Sequence, residues 1–156
     1  MNSVVVLLQR LKALNILPTP QLSTITYFSA LRSEEALDFI QVGIGKLNFS
    51  AQESINPSVE QFSTFFNSNI TPDYSFEADD GVEIVFRDGV GDVWKSYQDA
   101  TAPQDFTFTS LSQESDELGD YMKFVAEFSL ELYDDIDNPT DTITMENAVL
   151  ECHFKL

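Results

Sequence analysis

Met122-Lys123-Phe124-Val125-Ala126-Glu127-Phe128-Ser129-Leu130-Glu131-Leu132 is the stretch that decides the fold class. Met122, Phe124, Ala126, Phe128, Leu130 and Leu132 fall on one side of an extended chain, while Lys123, Glu127, Ser129 and Glu131 fall on the other. Such alternation marks a half-buried antiparallel strand, with one face on a core and one in water. Beyond it, the acidic turn Asp134 to Asp141 leads to Ile143 to Met145 and Ala148 to Phe154, which complete the sheet. Before it, Val82, Ile84 and Phe86 alternate with Glu83 and Arg87. The turn Asp88-Gly89-Val90-Gly91-Asp92 then joins them to Val93-Trp94-Lys95-Ser96-Tyr97 as a hairpin. Phe106-Thr107-Phe108-Thr109 is a further strand. Two facing antiparallel sheets, each with one polar face, are the packing expected of these segments.

The first third of the chain is mixed. Ser23 to Leu31, rich in Thr, Ile, Tyr and Phe, reads as a strand, and so does the alternation Leu47, Phe49, Ala51. Val4, Leu7, Leu8, Leu11 and Leu14 recur at helical spacing ahead of Pro18 and Pro20, so a helix is expected there. Ser33 followed by Glu34 and Glu35 predicts a capped helix to about Val42, closed by Gly43 and Gly45. Asn56-Pro57 predicts a third helix near residues 57–67, with Val59, Phe62 and Phe66 on one face. The expected architecture is mainly β: an antiparallel β-sandwich with two or three short helices in the N-terminal half. Residues 1–20 form a docking helix or arm, and residues 21–156 an acidic β-sandwich domain.

Taken together, Val82-Glu83-Ile84-Val85-Phe86-Arg87-Asp88, the glycine turn, Val93-Trp94-Lys95-Ser96 and Phe106-Thr107-Phe108-Thr109-Ser110 resemble β-rich domains of Bacteroidetes surface lipoproteins. Those domains continue with a GTFSATLYD-like strand and end on an ITNGxF-like one. Here Ala126-Glu127-Phe128-Ser129-Leu130-Glu131-Leu132-Tyr133-Asp134 and Ile143-Thr144-Met145-Glu146-Asn147-Ala148 take those places. Ala148 stands where glycine is usual, and the family's lipoprotein signal is missing. The resemblance covers about half the chain. It implies a β-sandwich and an origin in the Bacteroidetes or one of their phages, and it brings no catalytic residues.

The 156 residues hold 26 Asp and Glu against 8 Lys and Arg, a net charge of −18. With 43% hydrophobic and 12% aromatic residues, the chain has the means to build a core and is no disordered acidic tail. The charge argues against direct nucleic-acid binding and against an anionic membrane surface. Its distribution is uneven. Residues 1–50 carry Arg10, Lys12, Arg32 and Lys46 against Glu34, Glu35 and Asp38, a balance of +1, which leaves −19 on residues 51–156. The apolar run Val4 to Leu8 is too short for a membrane span, and it lacks a preceding positive charge and a small-residue cleavage site. Cytoplasmic synthesis is expected, with the virion as destination if the gene is a phage's.

Chemistry-bearing residues are sparse. One Cys and one His leave no internal disulfide and no cysteine-based zinc site. Cys152 and His153, as strand neighbours, point to opposite faces, with the thiol on the core side. Asp134, Asp135, Asp137 and Asp141 offer oxygen ligands for Ca2+, although the loop lacks the central glycine and distal glutamate of an EF-hand. A solvated acidic turn is the commoner outcome for such a loop. Asp79, Asp80, Asp88 and Asp92 flank one hairpin, but spacing alone does not make them a glycosidase pair. Trp94 with Tyr97, Tyr121 and Tyr133 is either a ligand platform or, more commonly, core.

These observations favour a non-enzymatic structural subunit of a larger assembly, without cofactor or metal. A phage virion protein of tail, neck or head-decoration type is the setting expected. It would dock on copies of itself and on other subunits through Val4, Leu7, Leu8, Leu11 and Leu14. The alternatives are a β-sandwich module binding a glycan or protein through the loops near Trp94 and Asp134, or an acidic DNA-mimic inhibitor.

Overall fold

A computed structural model describes residues 4–7, 10–13, 22–34, 38–52 and 54–156, the first two segments as backbone only. In chain order the strands are β1 (Val4–Leu7), β2 (Arg10–Ala13), β3 (Leu22–Ser33) and β4 (Phe39–Ser50), followed by helix α1 (Val59–Ser68). After a 3-10 turn at Phe76–Ala78 come β5 (Val82–Arg87), β6 (Val93–Ser96), β7 (Asp105–Asp116), β8 (Gly119–Tyr133) and β9 (Thr142–Lys155).

The strands form one antiparallel sheet curled into a half-barrel. β1 and β2 lie along the outer edge of β3, and β4, β5 and β6 follow in sequence. β6 meets β8 only at Leu132 and Tyr133, and β7 takes the rest of that edge from Gly119 to Ser129. β9 runs along the opposite edge of β8. Register shifts at Ile25/Tyr27, Phe108/Ser110 and Phe128/Leu130 mark bulges in the long strands, and Asn147 beside the last has φ 51°. Bulges bend a strand and increase its twist, which lets a single sheet curl.

The core lies in the concavity. Ile25 and Tyr27 of β3, Val42 and Ile44 of β4, Ile84 of β5 and the alternating set Met122 to Leu132 of β8 all point inward and are buried. Helix α1 fills the hollow with Phe62 and Phe66, both fully buried. Phe66 stacks on Phe154 of β9 at 4.9 Å and meets the edge of Phe108 of β7 at 6.5 Å. Phe154 stacks in turn on Phe124 at 4.6 Å. The helix is held at its start by a reciprocal cap: the Gln61 amide donates to the Ser58 hydroxyl, and the Ser58 amide donates to the Gln61 side chain.

Several expectations need correction. The chain shows one sheet where two facing ones were expected, because a helix rather than a second sheet covers the concave face. Val4 to Leu7 and Arg10 to Ala13 are strands, not a helix. The β-branched run Val4-Val5-Val6 pairs with Ser33 to Leu31, and pairing with β3 outweighs the chance helical spacing of the leucines. The expected helix up to Val42 is β4 from Phe39 onward, since Ile40 and Val42 face the core on either side of Gln41. Gly43 and Gly45 therefore sit inside a strand instead of ending a helix. A Cβ at Gly43 would lie 2.7 Å from the Phe28 ring, and one at Gly45 would strike the Ala78 carbonyl. The third helix is present, but Ser58 caps it rather than Asn56. Among the described residues, one α-helix and one 3-10 turn thus replace the two or three helices expected. The strands from Val82 onward lie where their sequence reading places them, but β7 runs on to Asp116 and β8 begins at Gly119, well beyond the Phe106–Thr109 and Met122–Leu132 runs, and β9 is continuous across the break expected at Glu146 and Asn147.

Candidate functional site

The outer face of β3 to β6 carries a groove built by register. Arg32 of β3 pairs across to Phe39 of β4, Phe39 to Arg87 of β5, and Arg87 to Val93 of β6, giving one transverse row. The next row is Ala30, Gln41, Val85 and Lys95, and the third contains Phe28, Gly43 and Glu83. Side chains two residues apart share a face, so these rows stack into one surface. Gly43 has no side chain there, and the Phe28 ring occupies the space its Cβ would need. Two hollows result, of about 300 Å3 beside Arg32 and Arg87 and about 630 Å3 beside Lys46 and Lys95. They share Phe28, Gln41 and Val85.

The charge of this surface departs from that of the molecule, four cations standing against Glu77, Asp79 and Glu83. Arg32, Lys46, Arg87 and Lys95, four of the chain's 8 basic residues, line it. At the larger hollow the cations meet acids: Lys46 pairs with Asp79, and Lys95 faces Glu83. Glu83 is only 6% exposed, and burial pushes its carboxyl up from the ordinary value against the pull of Lys95. At the smaller hollow no carboxylate among the described residues pairs with Arg32 or Arg87. The Arg32 Nε is buried without a hydrogen-bond partner among the described residues. The Arg87 guanidinium lies 5.4 Å from the centre of the Phe39 ring, a cation–π contact that leaves its N–H fork free for an anion. The arrangement suits a carboxylate carried on an apolar side chain or backbone turn.

The residues singled out from the sequence lie elsewhere. Leu8 and Leu14 fall outside the described residues, and so do the side chains of Val4, Leu7 and Leu11. In the acidic loop, Asp134 Oδ1 accepts from the amides of Asp135, Thr140 and Asp141, and Oδ2 accepts from the Thr140 hydroxyl. Those bonds, led by the one from Thr140, hold its carboxyl well below the usual range. Asp135 caps the amides of Asp137 and Asn138. Asp134 and Asp135 thus bind their own backbone, and among the described residues no cluster of three or more His, Cys, Asp or Glu is placed to hold a metal.

Asp88 likewise caps Val90, Gly91 and Asp92, while Asp79 binds Lys46. Trp94 is 8% exposed against Phe86, and Tyr121 sits with His153 away from the pair Tyr97 and Tyr133. Cys152 is buried as its parity predicts, whereas His153 is half-buried instead of facing solvent freely.

The groove was not foreseen from the sequence. A signal exists in the shared parity of Phe28, Ala30 and Arg32 and of Glu83, Val85 and Arg87. Only strand order and register bring the two sets together. Among the described residues, no helix is long and apolar enough to cross a membrane. The chain matches no protein-family model, no curated protein and no solved structure.

Proposed function

We propose that this protein is a docking subunit of a larger assembly, engaging an acidic partner surface through the outer face of β3 to β6. One observation carries the proposal: a chain of net charge −18 concentrates four of its 8 cations on one recessed sheet face and leaves Arg32 and Arg87 unpaired among the described residues. A guanidinium left free beside apolar walls gains most when a partner supplies the carboxylate, because a desolvated, charge-assisted pair is stronger than one in open water. The acidic remainder repels copies that approach in other orientations, so complementarity selects one mode of approach. The N-terminal segment, whose strands β1 and β2 lie along β3 at the rim of this face, extends the docking region. A virion component of tail, neck or head-decoration type is the role proposed, supported by the split between a near-neutral N-terminal region and an acidic remainder.

Sedimentation of the full chain over a range of concentrations tests the reading. Raising ionic strength from about 0.1 M to about 1 M shortens the screening length from about 10 Å to about 3 Å. Mass is expected to grow with concentration at low salt and to fall at high salt. A monomer at every concentration in low salt overturns the proposal.

A further inference from the structure

We infer that the groove receives the tip of the β7–β8 hairpin of a second copy, so that the protein assembles head to tail; the inference rests on the docking role proposed above. The hairpin tip carries what the groove lacks. Glu114, Asp116, Glu117 and Asp120 cluster around Leu118, which is 76% exposed at the turn. The turn is built, not frayed: the Leu118 amide donates to Asp116 Oδ1 at 2.7 Å, and Gly119 takes φ 114°, a left-handed value that suits glycine. At its base, the Leu156 amide donates to the Asp120 carbonyl. β7 is exposed from Ser112 to Asp116, so the turn stands at the rim of the sheet. An exposed leucine flanked by carboxylates on a fixed turn is an anchor with a polar rim, the arrangement that carries protein interfaces.

The fit is chemical as well as electrostatic. Phe28, Phe39, Val85 and Val93 give Leu118 an apolar seat in the hollow of about 300 Å3, and Arg32 and Arg87 stand at its side for Asp116 or Glu117. The tip, at the turn between β7 and β8, and the groove, on the outer face of β3 to β6, lie on different strands of the sheet. Donor and acceptor are therefore different patches of one molecule, and a contact between them repeats from copy to copy, closing a ring or extending a filament.

Two full-length variants separate donor from acceptor. Arg32→Glu/Arg87→Glu keeps the hairpin and loses the groove, while Glu117→Lys/Leu118→Ser keeps the groove and loses the tip. Glu117 and Leu118 are exposed turn residues, and circular dichroism and melting check the fold of both variants. Each variant alone is expected to be a monomer, its self-association weakened on the order of 100-fold. Mixed, they are expected to form a 1:1 complex by sedimentation and to grow no further, since the one remaining groove and the one remaining tip are then used. If Glu117→Lys/Leu118→Ser alone assembles like the wild type, or the mixture forms no complex, the hairpin contact is overturned. The docking role survives that result if wild-type assembly is salt-sensitive, and it falls separately if the wild type never assembles.

Discussion

The Ser29 hydroxyl of β3 donates to the His153 carbonyl of β9 at 2.7 Å and lies 2.7 Å from the Cys152 sulfur. Ser29 is 1% exposed, and its contacts tie together two strands that are not neighbours in the sheet. The curl of the half-barrel is closed at this point. Ser29→Ala removes the donor and leaves the His153 carbonyl short of a partner, which costs about 1–3 kcal/mol. Urea denaturation of the variant should show a lowered midpoint with unchanged slope. An unchanged midpoint would mean that the seam adds nothing to stability.

Cys152 is expected to be inert in the folded state. Burial pushes its thiol above the ordinary value, more than the Ser29 hydroxyl and the His153 backbone lower it. Thiol titration with a disulfide reagent should read almost no reactive cysteine natively and one per chain in denaturant. Rapid labelling of the native protein is the contrary result.

Phe66 is the residue through which α1 holds the sheet, with rings of Tyr27, Phe65, Phe108 and Phe154 around it. Phe66→Ala leaves a cavity at the centre of the concave face and should cost about 3–5 kcal/mol. Phe65, only partly buried, should cost visibly less when truncated. Equal losses at the two positions in thermal or urea melts would contradict the inward orientation of Phe66.

Glu83 should oppose folding at neutral pH. Its carboxyl is pushed up by burial, so the folded state favours the proton more than the unfolded chain does. The stability that follows is complete below the unfolded value of about 4.3 and is lost as pH rises through the raised folded value. Glu83→Gln should therefore be more stable than wild type at pH 7, and the difference should vanish below about pH 4. A variant destabilised at pH 7 would show that the pull of Lys95 outweighs burial.

Asp134 works in the opposite sense. Its lowered value means that stability is present above the ordinary carboxylate range and is lost as pH falls through the folded value. Asp134→Ala frees the amides of Asp135, Thr140 and Asp141. Amide exchange at Thr140 and Asp141 should quicken several-fold while β8 and β9 stay protected. Unchanged exchange at both amides would rule out Asp134 as the organiser of this loop.

Local pattern was legible wherever one face was buried and the other wet. β8 is the clearest case: Lys123 and Glu127 face water while Phe124 and Phe128 face the core, as their alternation says. α1 was legible for the same reason, with Phe62 and Phe66 one turn apart, although its cap is Ser58 and not the Asn56 that the sequence pointed to. The misreadings fell where short-range spacing is ambiguous. Leu7 and Leu11 fit a helix as well as a strand, and Gly43 reads as a helix stop until the Phe28 ring is seen above it. The aspartates at 134 and 135 are legible as oxygen donors, but whether they turn outward to a cation or inward to their own amides depends on the path of the loop.

The sequence by itself determined that the chain is mainly β, which residues of β5 and β8 face inward, and that its charge is divided between a near-neutral first region and an acidic remainder. Alternation, capping and charge are local properties, and a residue expresses them whatever lies across the sheet. Tertiary structure alone decided that the sheet is single and curled, and that Arg32, Phe39, Arg87 and Val93 stand in one row. Register between strands far apart in the chain is set by packing across the core and by bulges, so it appears in no window of sequence. The net charge of −18 hid the groove for that reason: its four cations are scattered from Arg32 to Lys95 and become one surface only when four strands align.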